Sequence, residues 1–367
     1  MSGPINVTYQ YVPESWDQSE FIREGGFVVA FLNYNKGEQV ESAAKSALSQ
    51  DWPCLEIFML DDASTDGSGD LMERIARTYR GRHKVTVVRN LKNRGINGQW
   101  NIVANLTTGR WLGMFCGDDD AFPDRVSIVA SILKDYPDAL GICTNALIKG
   151  TNRFFCKNRN RGVWSGENGP LPPGNFLGGM AFWSIHLFEE ELPLGNIDDM
   201  LLQHMAMIQG AKKDTVSLIW ALDVNTVSYS LGGLTNAGAQ YIRAQKCKLR
   251  RLWLQGRGRQ AYARKNGIVM WRNVMAYANR HLPDGRLKRQ LDGLALIREI
   301  SAAGWFGRLW KFLSLFSHKS GYFDLQDVRV RKEVKAIFLM YFLGLVSYVL
   351  YWELIDFRDV LKGLVRK

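Results

Sequence analysis

Hydrophobic residues in the first third of the chain form short continuous runs, and segments of helical spacing separate them. Four runs predict buried parallel strands: 27–32, 55–60, 85–88 and 111–115. Between them, apolar residues recur at helical spacing in three segments: 40–49, 69–79 and 99–106. This alternation predicts an α/β protein with a doubly wound, mostly parallel sheet flanked by helices, whose ligands bind beyond the carboxyl ends of the strands.

The pattern changes near residue 236, where the chain becomes basic, Trp-rich and mostly helical. We therefore predict a leader at 1–26, an α/β domain at 27–235, and a basic helical region at 236–367. The spacing of polar and apolar residues at 305–318 is typical of a helix in a membrane interface, with a core-packing helix as the alternative. The uncharged run at 336–352 lies at the lower limit for a membrane span.

Several structures are compatible with that apolar run. A short span, a re-entrant segment and a dimer helix all stay open, the last implying a homo-oligomer. Basic residues both precede and follow the run, which favours shallow or in-plane insertion.

Net charge and cysteine usage narrow the class of protein. The 367 residues carry a formal charge of +11, and the basic residues crowd the last third. An anionic membrane surface and a diphosphate-bearing substrate fit this charge, whereas no nucleic-acid-binding motif is present. The five cysteines lack C-x-x-C spacing, and the first 23 residues lack a signal peptide. We expect a cytoplasmic protein, associated peripherally or monotopically with the inner membrane, and no zinc site.

Two acidic motifs follow predicted strands. Asp61 and Asp62 come directly after the second strand, where carboxylates can bind the base or ribose of a nucleotide, although helix capping is the alternative. The second motif, residues 118–120, is a run of three aspartates after the fourth strand. Their mutual repulsion favours a hard divalent cation, Mg²⁺ or Mn²⁺, with a solvated acidic loop as the alternative.

Together these motifs resemble those of a family-two glycosyltransferase of GT-A fold. The matching features between 27 and 124 are Asn33-Tyr34-Asn35, Ser46-Ala47-Leu48-Ser49-Gln50, Glu56-Ile57, Asp61-Asp62-Ala63-Ser64-Thr65-Asp66, Asn93-Arg94-Gly95, Asn101, Gly109 and Asp118-Asp119 ahead of Pro123. The resemblance makes 27–235 a nucleotide-sugar-binding and catalytic domain, and it implies these donor-binding residues: Asn33, Tyr34, Asn35, Asp61, Asp62, Arg94 and Asp118. It also implies a metal site at Asp118, Asp119 and Asp120. Cys116 stands where many members have the first aspartate of D-x-D.

The resemblance extends to a second acidic segment further along the chain. Residues 196–202 resemble the family's Glu-Asp motif, which assigns Asp199 as general base, with helix capping as the alternative. On the acceptor side the resemblance places Gly179, Trp183 and Asp198, and Trp183 can equally be a core residue. Members often have an Arg or His near 229–233 to hold the diphosphate, and this chain has neither there.

The expected function is transfer of a sugar, with inversion, from a nucleotide-sugar donor to a glycan or lipid-linked acceptor in surface-polysaccharide biosynthesis. The expected donor is a UDP-sugar. The alternative is a non-catalytic membrane-surface binding protein on a glycosyltransferase scaffold. Cys116 and the missing diphosphate-binding residue motivate that alternative.

Overall fold

The computed structural model divides the chain into two units, Met1–Gly233 and Leu234–Lys367. The structure describes these residues of the first unit: 5–156, 161–165, 178–193, 198–211 and 215–230. In the second it describes these: 271–285, 287–288, 291–292 and 295. Both segments predicted to associate with a membrane, 305–318 and 336–352, lie outside the described residues. The functions assigned to the three sequence regions stay predictions.

Ten strands and six α-helices are assigned among the described residues of the first unit. The strands are β1 (Val7–Tyr11), β2 (Phe27–Asn33), β3 (Glu56–Asp61), β4 (Lys84–Arg89), β5 (Trp111–Cys116), β6 (Asp120–Ala121), β7 (Gly141–Ile148), β8 (Arg161–Ser165), β9 (Ala181–Ser184) and β10 (Val216–Tyr229). The helices are α1 (Gln18–Arg23), α2 (Gln39–Leu48), α3 (Ser68–Thr78), α4 (Gly95–Leu106), α5 (Arg125–Leu133) and α6 (Asp198–Ala211).

All ten strands join one sheet in the order β1-β4-β3-β2-β5-β9-β7-β10-β6, with β8 also paired to β10. The four strands β4, β3, β2 and β5 are mutually parallel. The antiparallel strand β9 joins β5 to β7, and β7 runs parallel to β10. This is the predicted α/β architecture with a mostly parallel sheet.

The core forms where helices cover the parallel strands. Every residue of β2 and β3 is buried, which is why both strands are almost entirely apolar. Helix α2 contributes one buried face made of Val40, Ala43, Ala44 and Ala47. The small side chains on that face allow the helix to lie close to its neighbours.

The predicted strands and helices between residues 27 and 116 are confirmed, with shifts of a few residues. The largest shift is at α4, which begins at Gly95 and not near residue 99. The predicted leader contains strand β1 and helix α1. Strand β1 pairs antiparallel with β4, and Phe21 of α1 is fully buried.

The described part of the second unit centres on a helix at 271–281. Its buried residues Trp271, Val274 and Ala278 recur at helical spacing. Within the described parts of the chain, no helix combines the length and the apolar character needed to cross a membrane.

Candidate active site

Three neighbouring strands bring the predicted polar motifs to one edge of the sheet. Asn33 at the end of β2 is paired in register with Asp61 at the end of β3. On the other side of β2, Leu32 is paired with Cys116 at the end of β5. The connections from β2 and from β5 leave in opposite directions along the sheet, which makes this edge a topological switch point. The two acidic motifs therefore face the same crevice.

Asp61 is held rigidly by its neighbours. The Asn33 side-chain amide donates to Asp61 Oδ1 at 2.8 Å and also to Ser68 Oγ at 2.9 Å. A Cβ at Gly69 would lie 2.7 Å from Asp61 Cγ, so α3 approaches this carboxylate only because residue 69 is glycine. Asn33, predicted to bind donor, thus orients Asp61.

Asp62 binds the start of α4. Its carboxylate accepts hydrogen bonds from the backbone N–H groups of Arg94 at 2.8 Å and Gly95 at 2.9 Å, and from the Asn90 amide at 3.0 Å. Burial raises the pKa of Asp62, against the effect of these three donors. The helix-capping alternative therefore applies to Asp62, for α4 and not for α3, whose N-cap residue is Gly67.

The loop after β2 presents Tyr34 and Asn35 at the same edge. Asn35 has a φ of 51°, a left-handed conformation that asparagine tolerates better than most residues. Its Oδ1 accepts the Thr65 N–H at 2.8 Å, which fastens this loop to the one after β3. Tyr34 is 45% exposed, so its ring is accessible to a ligand.

The second acidic motif forms a compact group of potential metal ligands. One ligand atom from each of Cys116, Asp118 and Asp119 lies within 4.8 Å of the other two. The carboxylate of Asp120, also predicted as a ligand, instead contacts Ser42 Oγ at 2.6 Å and Lys149 Nζ at 2.7 Å. The group that could hold a cation thus contains Cys116 in place of Asp120. Carboxylate oxygens suit Mg²⁺ and Mn²⁺, and the sulfur adds a softer ligand.

Burial raises the pKa of Asp119 to about 7, and the charge of Asp118 adds to this effect. The Ser230 N–H, which donates to Asp119 Oδ1 at 2.7 Å, acts in the opposite direction. Asp118 forms an ion pair with Lys36, at 2.8 Å between Oδ2 and Nζ. A divalent cation beside Asp119 would favour its ionised form and reverse the effect of burial.

A buried arginine on helix α5 interacts electrostatically with the acidic group. Arg125 of α5 is fully buried, with its guanidinium carbon 4.9 Å from the centre of the Phe182 ring. Burial lowers the pKa of Arg125 to about 10, so the side chain stays charged at neutral pH. The charge of Asp119 favours this ionised form.

The residues predicted on the acceptor side differ in their surroundings. A Cβ built at Gly179 would lie 3.7 Å from Asp119 Oδ2, so this glycine lies beside the acidic group. Trp183 is fully buried in β9, against Gly141. Because no face of its ring is exposed, the proposed stacking on a sugar is not supported, and Trp183 is a core residue. Asp198 and Asp199 lie at the start of α6, and their side chains are outside the described residues.

Two asparagines of α4 hold the segment that leads toward α6. The Asn101 amide donates to the Leu192 carbonyl at 2.8 Å, and its Oδ1 accepts the Leu192 N–H at 2.8 Å. Asn97 donates to the Pro193 carbonyl at 2.7 Å. Sequence reasoning quoted Asn101 only as part of a resemblance and missed Asn97.

Three further residues of the site were not predicted from the sequence: Lys36, Lys149 and Ser230. Lys36 directly follows the Asn33-Tyr34-Asn35 motif in the loop after β2, so its position in the sequence could have indicated its place in the site. Lys149 and Ser230 follow β7 and β10, which the sequence analysis did not predict as strands. Their approach to the acidic motif depends on that tertiary pairing.

The fold brings two acidic motifs to one edge of an α/β sheet, and the second motif contains side chains that could hold a cation. Residues 28–189 match the family described as Glycosyl transferase family 2. This match covers less than half of the chain, and over these residues the chain is similar to that family. Its fold is the GT-A fold.

Two curated proteins and one solved structure illustrate the likeness. The succinoglycan biosynthesis protein ExoO of Rhizobium meliloti (strain 1021) is 32% identical over 100 residues, 27% of this chain and 27% of that protein. The UDP-Glc:alpha-D-GlcNAc-diphosphoundecaprenol beta-1,3-glucosyltransferase WfaP of Escherichia coli is 28% identical over 94 residues, 26% of this chain and 36% of that protein. The crystal structure of S. aureus TarS 1-349 with UDP-GlcNAc superposes with a TM-score of 0.52 at 14% identity, covering 75% of this chain and 72% of that chain.

The matched segments thus span well under half the length of these two curated relatives. The likeness to TarS, at its low identity, concerns the fold alone.

Proposed function

We propose that this protein transfers a sugar from a nucleotide-sugar donor to a glycan or lipid-linked acceptor, with inversion, in surface-polysaccharide biosynthesis. The observation that carries the proposal is the meeting of two acidic motifs at one edge of a family-two domain. The names of ExoO and WfaP, which refer to a polysaccharide and to a diphosphoundecaprenol acceptor, support the type of acceptor.

In this proposal the first motif positions the donor. Asp61 and Asp62 accept hydrogen bonds from the base and ribose, Asp62 in addition to its contacts with the start of α4. Tyr34 lines the same pocket, with Arg94 close by. Asp118 and Asp119, with Cys116 beside them, hold a Mg²⁺ or Mn²⁺ ion. When bound, that ion supplies positive charge that stabilises the leaving diphosphate.

Asp199 is the proposed general base. It removes the proton from the acceptor hydroxyl as that oxygen attacks C1 of the donor sugar. The bond from C1 to the diphosphate oxygen breaks on the opposite face, and its electron pair leaves with the nucleoside diphosphate. The result is an inverted configuration at C1, with Asp198 and Gly179 proposed on the acceptor side.

Donor binding is the direct test. Titration of UDP-, GDP- and dTDP-sugars in the presence of Mg²⁺ or Mn²⁺ should show saturable binding of one nucleotide class. UDP-sugars come first, because WfaP is named for UDP-Glc and TarS was crystallised with UDP-GlcNAc. Failure of every donor to bind would contradict the proposal. Binding without release of a nucleoside diphosphate, even with acceptor-bearing membranes, would favour the non-catalytic alternative.

Cys116 should set the metal preference. A thiolate favours softer cations, whereas a carboxylate at the same position favours Mg²⁺. We expect Cys116→Asp to bind Mg²⁺ more tightly and Cd²⁺ more weakly than the unaltered protein, by about tenfold each, a change of about 1.4 kcal/mol. Calorimetric titration with both ions measures this.

Cys116→Ser is the matched control, since it keeps the size of the side chain and removes the soft ligand. It should lose Cd²⁺ affinity without gaining Mg²⁺ affinity. Unchanged affinities for both ions in both variants would show that the sulfur does not contact the cation.

Membrane association also belongs to the proposal. The basic last third supports binding to an anionic inner-membrane surface from the cytoplasmic side, and a lipid-linked acceptor would be found there.

A further inference from the structure

We propose that Lys36 and Lys149 together bind the diphosphate of the donor. This inference rests on the proposed function and names the residues of that site that would meet the phosphate oxygens. Lysine suits the task because its ammonium group is a compact charge with three donors and a common ligand of phosphate.

Both lysines reach the same acidic loop, and they come from opposite sides. Lys36 follows β2 and contacts Asp118 Oδ2 at 2.8 Å. Lys149 follows β7 and contacts Asp120 Oδ2 at 2.7 Å and the Asp118 carbonyl oxygen at 3.3 Å. In the sheet, β5 lies between β2 and β7, and the acidic loop is the continuation of β5. The two ammonium groups therefore flank the proposed cation ligands.

Each lysine is positioned by its surroundings. A Cβ at Gly117 would lie 3.2 Å from Lys36 Cγ, so the absence of a side chain there leaves room for the Lys36 stem. The Lys149 N–H donates to the Tyr229 carbonyl at 2.8 Å, which ties the end of β7 to the end of β10. Their side chains are 20% and 34% exposed, so both can meet a ligand in the crevice.

A purely structural role explains these pairs poorly. Partly exposed ion pairs contribute little to stability, typically about 0–1 kcal/mol. Two lysines beside metal ligands also repel a divalent cation and so weaken its binding. That repulsion becomes useful once a diphosphate is present, because the lysines can then exchange carboxylate oxygens for phosphate oxygens while the cation neutralises the carboxylates.

The test compares ligands that differ only in phosphate. Calorimetry with the full chain would measure the affinity of UDP, GDP and dTDP, and of the corresponding nucleosides, with Mg²⁺ and with chelator. We expect Lys36→Met and Lys149→Met each to lower diphosphate affinity by about 10- to 100-fold, the weight of a hydrogen bond to a charged group. Nucleoside affinity should stay unchanged. Lys36→Arg and Lys149→Arg should recover much of the loss.

Two further variants separate binding from structure. Lys134→Met, at an exposed lysine that follows α5, is the matched control and should leave both affinities unchanged. Asp120→Asn removes the carboxylate partner of Lys149 and leaves the lysine in place. If Lys149 binds diphosphate, this variant keeps or gains diphosphate affinity. If Lys149 only braces the loop, Asp120→Asn loses affinity as Lys149→Met does, and the proposal is overturned.

The outcomes also distinguish this inference from the proposed function. A protein that binds no nucleoside diphosphate under any condition contradicts both. A protein that binds one of them, with both methionine variants binding it equally well, contradicts the lysine assignment alone. Thermal unfolding of each variant shows whether a lost affinity reflects lost folding.

Discussion

Asp199→Asn is expected to lower turnover by roughly two to four orders of magnitude, the usual contribution of general acid–base catalysis. Asparagine keeps the size of the side chain but cannot take the acceptor proton at neutral pH. Donor affinity should change little, because the proton is removed only in the transition state. Steady-state rates with acceptor-bearing membranes, together with donor binding by calorimetry, measure the two effects separately.

Asp138→Asn is the matched control for this substitution, at an exposed carboxylate between α5 and β7. It should retain full turnover. A parallel loss of donor binding in Asp199→Asn would instead indicate that Asp199 caps α6. A product that retains the anomeric configuration of the donor would exclude the base assignment.

Removal of the divalent cation is the second large effect that we expect. Excess chelator should lower turnover by about 100-fold or more, since charge stabilisation by a bound cation is worth several kcal/mol. Asp119→Asn should lower the metal-dependent part of donor affinity, because it removes one of two carboxylates from the ligand group. Titration of donor with and without Mn²⁺ isolates that part.

Asp124→Asn is the control, since Asp124 is exposed and lies only five positions beyond Asp119, outside the ligand group. It should bind donor as the unaltered protein does. Full turnover in excess chelator would refute the need for a cation. It would also direct attention to Lys36 and Lys149 as sufficient sources of positive charge.

The sequence predicts best those strands in which every residue is buried. Strands β2 and β3 are buried at every position, so their sequences are continuous apolar runs that stand out clearly. Strand β1 is an edge strand of mixed polarity and gave no such signal. Strands β7 and β10 were missed for a related reason, since β10 includes polar residues such as Asp223 and Asn225.

Site residues could be predicted where they follow strands that the sequence predicts, and were missed where they follow strands that it does not predict. Asp61 and Asp118 follow strands that were predicted, so their meeting at one edge could be foreseen. Lys149 reaches the acidic loop only because β7 lies two places from β5 in the sheet, with β9 between them. Trp183 shows a different limit of prediction from sequence. An aromatic residue after a glycine-rich segment looks the same in the sequence whether its side chain faces a ligand or the core.

Helix α4 is held by other parts of the chain at two places along its length. Its first turn is bound by Asp62, and its Asn97 and Asn101, one turn apart, hold Pro193 and Leu192. Each residue of an α-helix turns the chain by about 100°, because 3.6 residues complete one turn. One inserted or deleted residue between Gly95 and Asn97 would therefore rotate both asparagines away from the 192–193 segment. The hydrogen bonds from Arg94 and Gly95 to Asp62 would remain. The contacts at Gly95 and Asn97 thus fix the number of residues in this first turn. Insertions and deletions among relatives should therefore fall outside it.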